Sequence, residues 1–437
     1  MEKIKKNKNN LLWTEAKKII LGGNGLFSKR PENFLPFFWP AYFSKAKGCY
    51  VWDLTNKKYI DMSLMGIGTN VLGYANKKVD DAVIRNLKKG NMTTLNCPEE
   101  VFLAKKLKSI HPWASKVKFA RTGGEANAIA IRIARAFTKQ SKIAVCGYHG
   151  WHDWYLSANL NKKNAMKKFL LKGLKNDGIP QELKNTVFTF EYNNLDRLEY
   201  LLKEKKIKII KMEVIRNVQP KNNFLKKVRK LANKYNSVLI FDECTTGFRQ
   251  SYGGIHKYFK VTPDMVIFGK AIGNGYAITA ILGKKKVMAK AEGSFISSTF
   301  WSERSGPTAA LETIKIMKSS KSWLTVKNQG KKVKFIWNKI SKKYGLKISI
   351  YGIDSICGFN FEYKQNNYFK SILTFEMLKL GFLAGNSIMI SICHTDNILK
   401  KYEKALDKVF KIIADIKDLK KRKINLKQAF QGFYRLN

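Results

Sequence analysis

Residues 237–249 read SVLIFDECTTGFR. The run Ser237–Phe241 is nearly all apolar, is too short for a helix, and ends on the carboxylate of Asp242. Such a run, bounded by polar residues, reads as a strand buried on both faces. Upstream, FLKKVRKLANKY (224–235) repeats its apolar residues every three or four positions, as an amphipathic helix does. Downstream, DMVIF (264–268) is a second apolar strand.

The same rhythm extends toward the N-terminus. KVKFA (116–120), KIAVC (142–146) and IKIIKM (207–212) are strands. GEANAIAIRIARAF (124–137) is a helix whose Ala126, Ile129, Ala130, Ile133 and Phe137 share a face. Short apolar strands alternating with helices predict an α/β fold with a mostly parallel central sheet covered on both sides. NKKVDDAVIRNLKKG (76–90) and PEEVFLAKKLKSI (98–110) read as further helices, and GCYVWDLTNKKYIDMS (48–63) as two strands joined around Asn56. Residues 157–200 are Lys- and Asn-rich and read as an irregular loop. After TAALETIKIMK (308–318), a connecting helix, the strands LKISIYG, SICGFNFEYK and MISICH alternate with helices in a smaller α+β domain. The expected division is 1–67 as a loosely held arm and part of the small domain, 68–312 as the large domain, and 313–437 as the rest of the small domain.

Composition narrows the function. At 45% hydrophobic and 12% aromatic residues, the chain can build a large core. Its formal charge of +50 suggests an anionic partner, but only twelve of the 82 basic residues are Arg and the lysines are spread along the whole chain. Nucleic-acid readers concentrate Arg in patches, so no specific nucleic acid is expected, and the KKRKIN run (420–425) reads as a solvated helix end. Six cysteines without a CxxC pair suit a reducing compartment. With no apolar run of spanning length, the expectation is a cytoplasmic protein without a membrane partner. No metal is called for.

Ligands of open α/β sheets sit beyond the carboxyl ends of the strands. There the sequence places Gly123 and Gly124 opening a helix, Tyr148, Glu213, Asp242 and Lys270. A glycine turn at a helix start can hold a phosphate, and an aromatic can stack on a ring. A buried carboxylate needs a cationic partner such as a protonated pyridine nitrogen. A desolvated lysine becomes a nucleophile toward an aldehyde. Each feature alone has an ordinary structural explanation; together they suit an aromatic, phosphorylated, aldehyde-bearing cofactor.

TGGEANAIAIRIARA (122–136), YHG (148–150), FDECTTGFR (241–249), GGIHKYFKVTPDMVIFGKAIGNGYAITAILG (253–283) and SSTFWSERSGPTAALET (297–313) together resemble class III aminotransferases of pyridoxal-phosphate fold type I, a group that includes glutamate-1-semialdehyde 2,1-aminomutase. The resemblance implies pyridoxal 5'-phosphate as cofactor. Lys270 resembles the lysine that forms the Schiff base and shuttles the proton, and Asp242 the carboxylate on the ring nitrogen. Thr122, Gly123 and Gly124 match the phosphate turn, Tyr148 the stacking aromatic, Glu213 the acid of a Glu-Pro pair, and Cys244 a ring-packing Val. Thr299 resembles a threonine that reaches the neighbouring subunit's phosphate, which implies a homodimer with a shared site. His149 and Glu125 are expected to hold structure, and Arg249 and Arg304 are candidate grips for a substrate carboxylate. The chain departs from the family's Ser-Gly-Thr-Glu-Ala turn by carrying Gly124, and from the aminomutase's Ser-Trp-Gly by reading SLMGIG (63–68). The implied activity moves an amino group from a small amine to a carbonyl, a keto sugar or small oxo acid. The alternative is aminomutation of glutamate 1-semialdehyde.

Overall fold

The computed structural model describes residues 7–161, 177–418 and 424–429. They form two compact units. One holds the chain up to Asn76 and again from Thr325, and the other holds Lys77–Leu324. The breaks after Asn76 and Leu324 fall later in the chain than residues 67 and 312, because the helix Ser305–Ser320 belongs wholly to the second unit.

In the first unit, strands β1 (Phe43–Lys47), β2 (Tyr50–Asp53) and β3 (Lys58–Met62) form an antiparallel meander, with Asn56 at φ 63° in the turn. The N-terminal segment is more ordered than an arm. Lys8–Ile19 is a helix whose Trp13 and Ala16 are buried, started by Asn7, whose side chain accepts from the Asn10 amide.

The second unit contains the central sheet: β4 (Lys116–Ala120), β5 (Ile143–Cys146), β6 (Val187–Thr189), β7 (Ile209–Glu213), β8 (Val238–Glu243), β9 (Met265–Phe268) and β10 (Thr279–Gly283). Their spatial order is β4-β10-β9-β8-β7-β5-β6. All run parallel except β10, which is antiparallel to both of its neighbours. Two of these strands, β6 and β10, escape the apolar-run reading. β6 and the helix Leu195–Lys203 lie inside the stretch read as irregular, where an edge strand of three residues leaves little signal and the helix depends on its Asn194 cap. The rest of that stretch, 162–176, lies outside the described residues. The helix Gly123–Thr138 covers one face of the sheet, with Ala126, Ile129, Ala130 and Ile133 buried against Val145, Ile240 and Ile267. Phe137 is only partly buried at its edge. Each fully buried Ile contributes on the order of 1.5–3 kcal/mol, so this face fixes the helix start against the strand ends.

Back in the first unit, β11 (Ile348–Ile353), β12 (Ile356–Phe361) and β14 (Ser387–Met389) form a three-stranded sheet, while β13 (Phe382–Ala384) joins β3 in parallel. The strand lies earlier than expected: of MISICH (389–394) only Met389 is in it, and 390–394 are not strand. Beyond it the chain turns, with the His394 ring against the Asp61 carbonyl at 2.8 Å. The last long helix ends at Lys417, and most of the KKRKIN run lies outside the described residues.

Candidate active site

Strand register decides which side chains meet. Glu213 on β7 is opposite Asp242 on β8, and Asp242 is opposite Ile267 on β9. Because side chains alternate along a strand, Lys211, Glu213 and Asp242 share one face of the sheet, and Glu243 points to the other. Glu243 is fully buried there. It accepts from the amides of Ile255 (2.6 Å) and His256 (3.0 Å) and contacts His256 Nδ1. Of two adjacent acids, then, Glu243 is committed to backbone amides on one face, and Asp242 lies on the face that carries Glu213 and Lys211.

Asp242 is nearly buried. Its Oδ2 meets His149 Nδ1 at 2.9 Å and Lys211 Nζ at 3.7 Å, while Oδ1 accepts from the Cys244 amide at 3.1 Å. The other His149 nitrogen, Nε2, lies 3.1 Å from the Cys146 carbonyl, which fixes it as a donor. Burial alone would raise the Asp242 carboxyl. The Lys211 ammonium and the His149 contact outweigh it, so the group is held below the usual carboxylate range. The site side of this carboxylate is therefore an anion ready for a cationic partner.

Lys270 follows β9 at φ 46°, a left-handed backbone that costs a non-glycine residue on the order of 1 kcal/mol. Its Nζ donates to Thr245 Oγ1 at 2.8 Å. Cys244 lies between the turn that carries this lysine and the glycine turn. A Cβ added to Gly269 would stand 3.2 Å from its Sγ, and one added to Gly123 would stand 3.4 Å from it. Thr122 caps the helix Gly123–Thr138 with a capping box: its Oγ1 accepts from the Glu125 amide, and its own amide donates to Glu125 Oε2 at 2.7 Å. The first-turn amides of Gly123 and Gly124 have no partner within the helix and carry its positive end. A Cβ on Gly124 would come within 2.9 Å of the His152 ring. That ring occupies the space a threonine would need, so the turn is a cradle made of backbone alone.

The remaining expected residues divide. Tyr148, partly buried, is held by its amide to Glu213 Oε2 at 3.1 Å, so Glu213 positions the Tyr148 loop. Thr299 is exposed on a short 3-10 turn, Thr299–Ser302, and makes none of the contacts described above. Arg249 is buried with its Nε on the Thr245 carbonyl at 2.9 Å, bracing the turn behind Lys270. Arg304 pairs with Glu99 at 3.1 Å. Three residues escaped the sequence reading: Lys211, Thr245 and His152. Lys211 left one signal, a charge inside the apolar run IKIIKM.

These parts suit a phosphorylated pyridine aldehyde: an anion for the ring nitrogen, an amine for the aldehyde and bare amides for the phosphate. The sequence profile of the Aminotransferase class-III family matches residues 36–416. The chain belongs to that family. Among similar proteins, the 3-aminobutyryl-CoA aminotransferase of Cloacimonas acidaminovorans (strain Evry) is 36% identical over 383 residues, covering 85% of this chain and 88% of the relative. The glutamate-1-semialdehyde 2,1-aminomutase of Sulfurisphaera tokodaii is 33% identical over 358 residues, covering 80% and 83%. Among solved structures, the FumI protein of Sphingopyxis sp. MTA144 in its PLP internal aldimine form has a TM-score of 0.85 at 23% identity, covering 97% of this chain and 99% of that one. A glutamate-1-semialdehyde aminomutase from Pseudomonas aeruginosa PAO1 has a TM-score of 0.78 at 17% identity, covering 92% and 94%. The fold is that of fold type I transaminases, and the class-III cofactor is pyridoxal 5'-phosphate. No described helix is long and apolar enough to cross a membrane.

Proposed function

We propose that this class-III enzyme transfers an amino group between two different small molecules, with Lys270 and Asp242 as its catalytic residues. The supporting observation is the pairing of two adjacent strand ends: β8 presents a carboxylate kept ionised, and β9 presents an amine oriented by Thr245. Pyridoxal phosphate, when bound, supplies an aldehyde that takes up the amine and a ring that withdraws electrons from the bond to be broken. Lys270 would hold the cofactor through its Nζ and would serve as the base that moves the substrate's proton. Thr245 Oγ1 keeps that Nζ aimed at the site. Asp242 Oδ1, with only a backbone amide on it, accepts from the ring nitrogen. The Gly123 and Gly124 amides hold the phosphate, Cys244 packs the ring edge, and Tyr148 covers the ring. Thr299 completes the phosphate grip on a second copy of the chain, which makes the working form a homodimer. The compartment that fits six unpaired cysteines is the cytoplasm.

The test is a panel of amines added to the holoenzyme, with amino acids, simple amines and 3-aminobutyryl-CoA among them. A true donor bleaches the aldehyde-form colour, and a carbonyl acceptor restores it. A panel in which nothing bleaches the colour would overturn the transaminase reading. A second reading is supported by the aminomutase relatives: the same site acting on glutamate 1-semialdehyde and returning the nitrogen to the same skeleton. Formation of 5-aminolevulinate from the semialdehyde with no other amine present would put that reading first.

A further inference from the structure

Lys211 is a lysine in the middle of a buried strand, with no exposed surface. Val145 and Ile240 flank it on the neighbouring strands, so its ammonium has exchanged water for aliphatic surroundings. Isolated, a charge there would be very costly, and a buried charge persists only when paired. Its partner is Asp242, 3.7 Å from Nζ, too far for a hydrogen bond, and among the described residues Nζ has no other hydrogen-bond partner. Methionine or isoleucine would fill the same space without that cost. The lysine therefore calls for an explanation beyond packing.

The carboxylate it faces is the one assigned to the cofactor's ring nitrogen. We propose that Lys211 is a positioning residue for the amino-transfer chemistry: its ammonium draws on the Asp242 charge from behind, so the ring nitrogen is protonated less firmly than Asp242 alone would make it. The inference rests on the Asp242 assignment above. One carboxylate then serves two cations, the Lys211 ammonium and the protonated ring nitrogen. In a site with low effective dielectric the two repel each other. Burial lowers the basicity of Lys211 and the Asp242 charge partly restores it; because an alkylamine starts as a stronger base than a pyridine nitrogen, the proton stays on Lys211 and leaves the ring more readily. His149 also faces Oδ2, with its Nδ1 at 2.9 Å. Cys244, Glu213 and Lys270 are the other titratable groups facing this cluster. The consequence is a ring whose electron demand depends on pH instead of being saturated.

The experiment loads the apoenzyme with cofactor labelled with 15N at the ring nitrogen and follows the 15N resonance against pH for the wild type, Lys211→Met and Asp242→Asn. In the wild type the ring nitrogen should be protonated at the acid end and titrate between about pH 6 and pH 10. In Lys211→Met the midpoint should rise by about one pH unit or more, a roughly tenfold gain in proton affinity. In Asp242→Asn it should fall. A Lys211→Met curve that overlays the wild type while Asp242→Asn shifts overturns the role of Lys211 alone. If Asp242→Asn also leaves the resonance unmoved, the Asp242 assignment itself fails. A purely structural Lys211 would change the melting temperature and leave the resonance in place. Should Lys211→Met not fold, the wild type still decides: a ring nitrogen fully protonated across that whole range overturns the proposal.

Discussion

The Lys270 amine lies 2.8 Å from the hydroxyl of Thr245, a residue carried by the turn that follows Asp242 on the adjacent strand. One short loop thus sets both the carboxylate and the aim of the amine. Thr245→Val keeps the shape and removes the acceptor. A lost hydrogen bond to a charged group is worth about 1.5–3 kcal/mol, so kcat should fall roughly 10- to 100-fold. The fold should survive, since Thr245 is at the edge of the core. Steady-state kinetics and circular dichroism on the same preparation check both halves.

Lys270→Ala should abolish the visible band of the loaded enzyme near ~410–430 nm, because no amine remains to bind the aldehyde. Activity should drop by about a thousandfold or more. Far-ultraviolet circular dichroism should be unchanged and melting should move little, since alanine keeps the Cβ and with it the left-handed strain at φ 46°. A variant that keeps the band would remove Lys270 from its assigned role.

Gly124→Ala places a methyl group against the His152 ring. The ring must swing away, disturbing the amide cradle. Cofactor affinity is expected to fall by about 3- to 10-fold, equal to roughly 1 kcal/mol. Adding His152→Ala should restore most of it. Titration of the apoenzymes with pyridoxal phosphate, read by absorbance, separates a steric effect from a general loss of fold.

His111 is stacked on His256 and Phe268, with ring centroids 5.4 and 5.1 Å away. Burial first, then the charges of His256 and Lys257, push its pKa from 6.5 down to about 3. In that window the unfolded chain binds a proton that the native ring refuses, so stability rises with pH. It should therefore fall as pH drops from about 6.5 toward 3, by at most about 1.4 kcal/mol per pH unit. His111→Gln should flatten this limb in thermal melts collected between about pH 6.5 and pH 4.5.

The parallel strands were legible because a strand buried on both faces leaves an unbroken apolar run, as in VLIF and MVIF. β10 was harder to see. TAILG has the right residues, but nothing in its spacing says that it runs antiparallel, and β6 offers only three residues. Asp242 and Lys270 stood out because each ends such a run with a charge. Lys211 was hidden by abundance: in a chain this rich in lysine, one more copy attracts no notice until its burial is known. Thr245 and His152 were out of reach for a different reason. Their roles depend on which turns lie side by side, and that is set by sheet order.

Asp242 and Glu243 differ by one methylene and one position, yet they face opposite sides of β8. A one-residue slip of that strand while the chain folds would carry Glu243 into the place opposite Glu213 and turn Asp242 to the other face. The result would be a compact protein with ordinary secondary structure, a longer acid in the Asp242 position and no carboxylate where Glu243 accepts from the Ile255 and His256 amides. Circular dichroism could not tell such a product from the native enzyme, but with its acid misplaced it should keep less cofactor, and so less colour, once unbound pyridoxal phosphate is removed. Recovery of this enzyme after denaturation is therefore best scored by yellow colour per mole of chain.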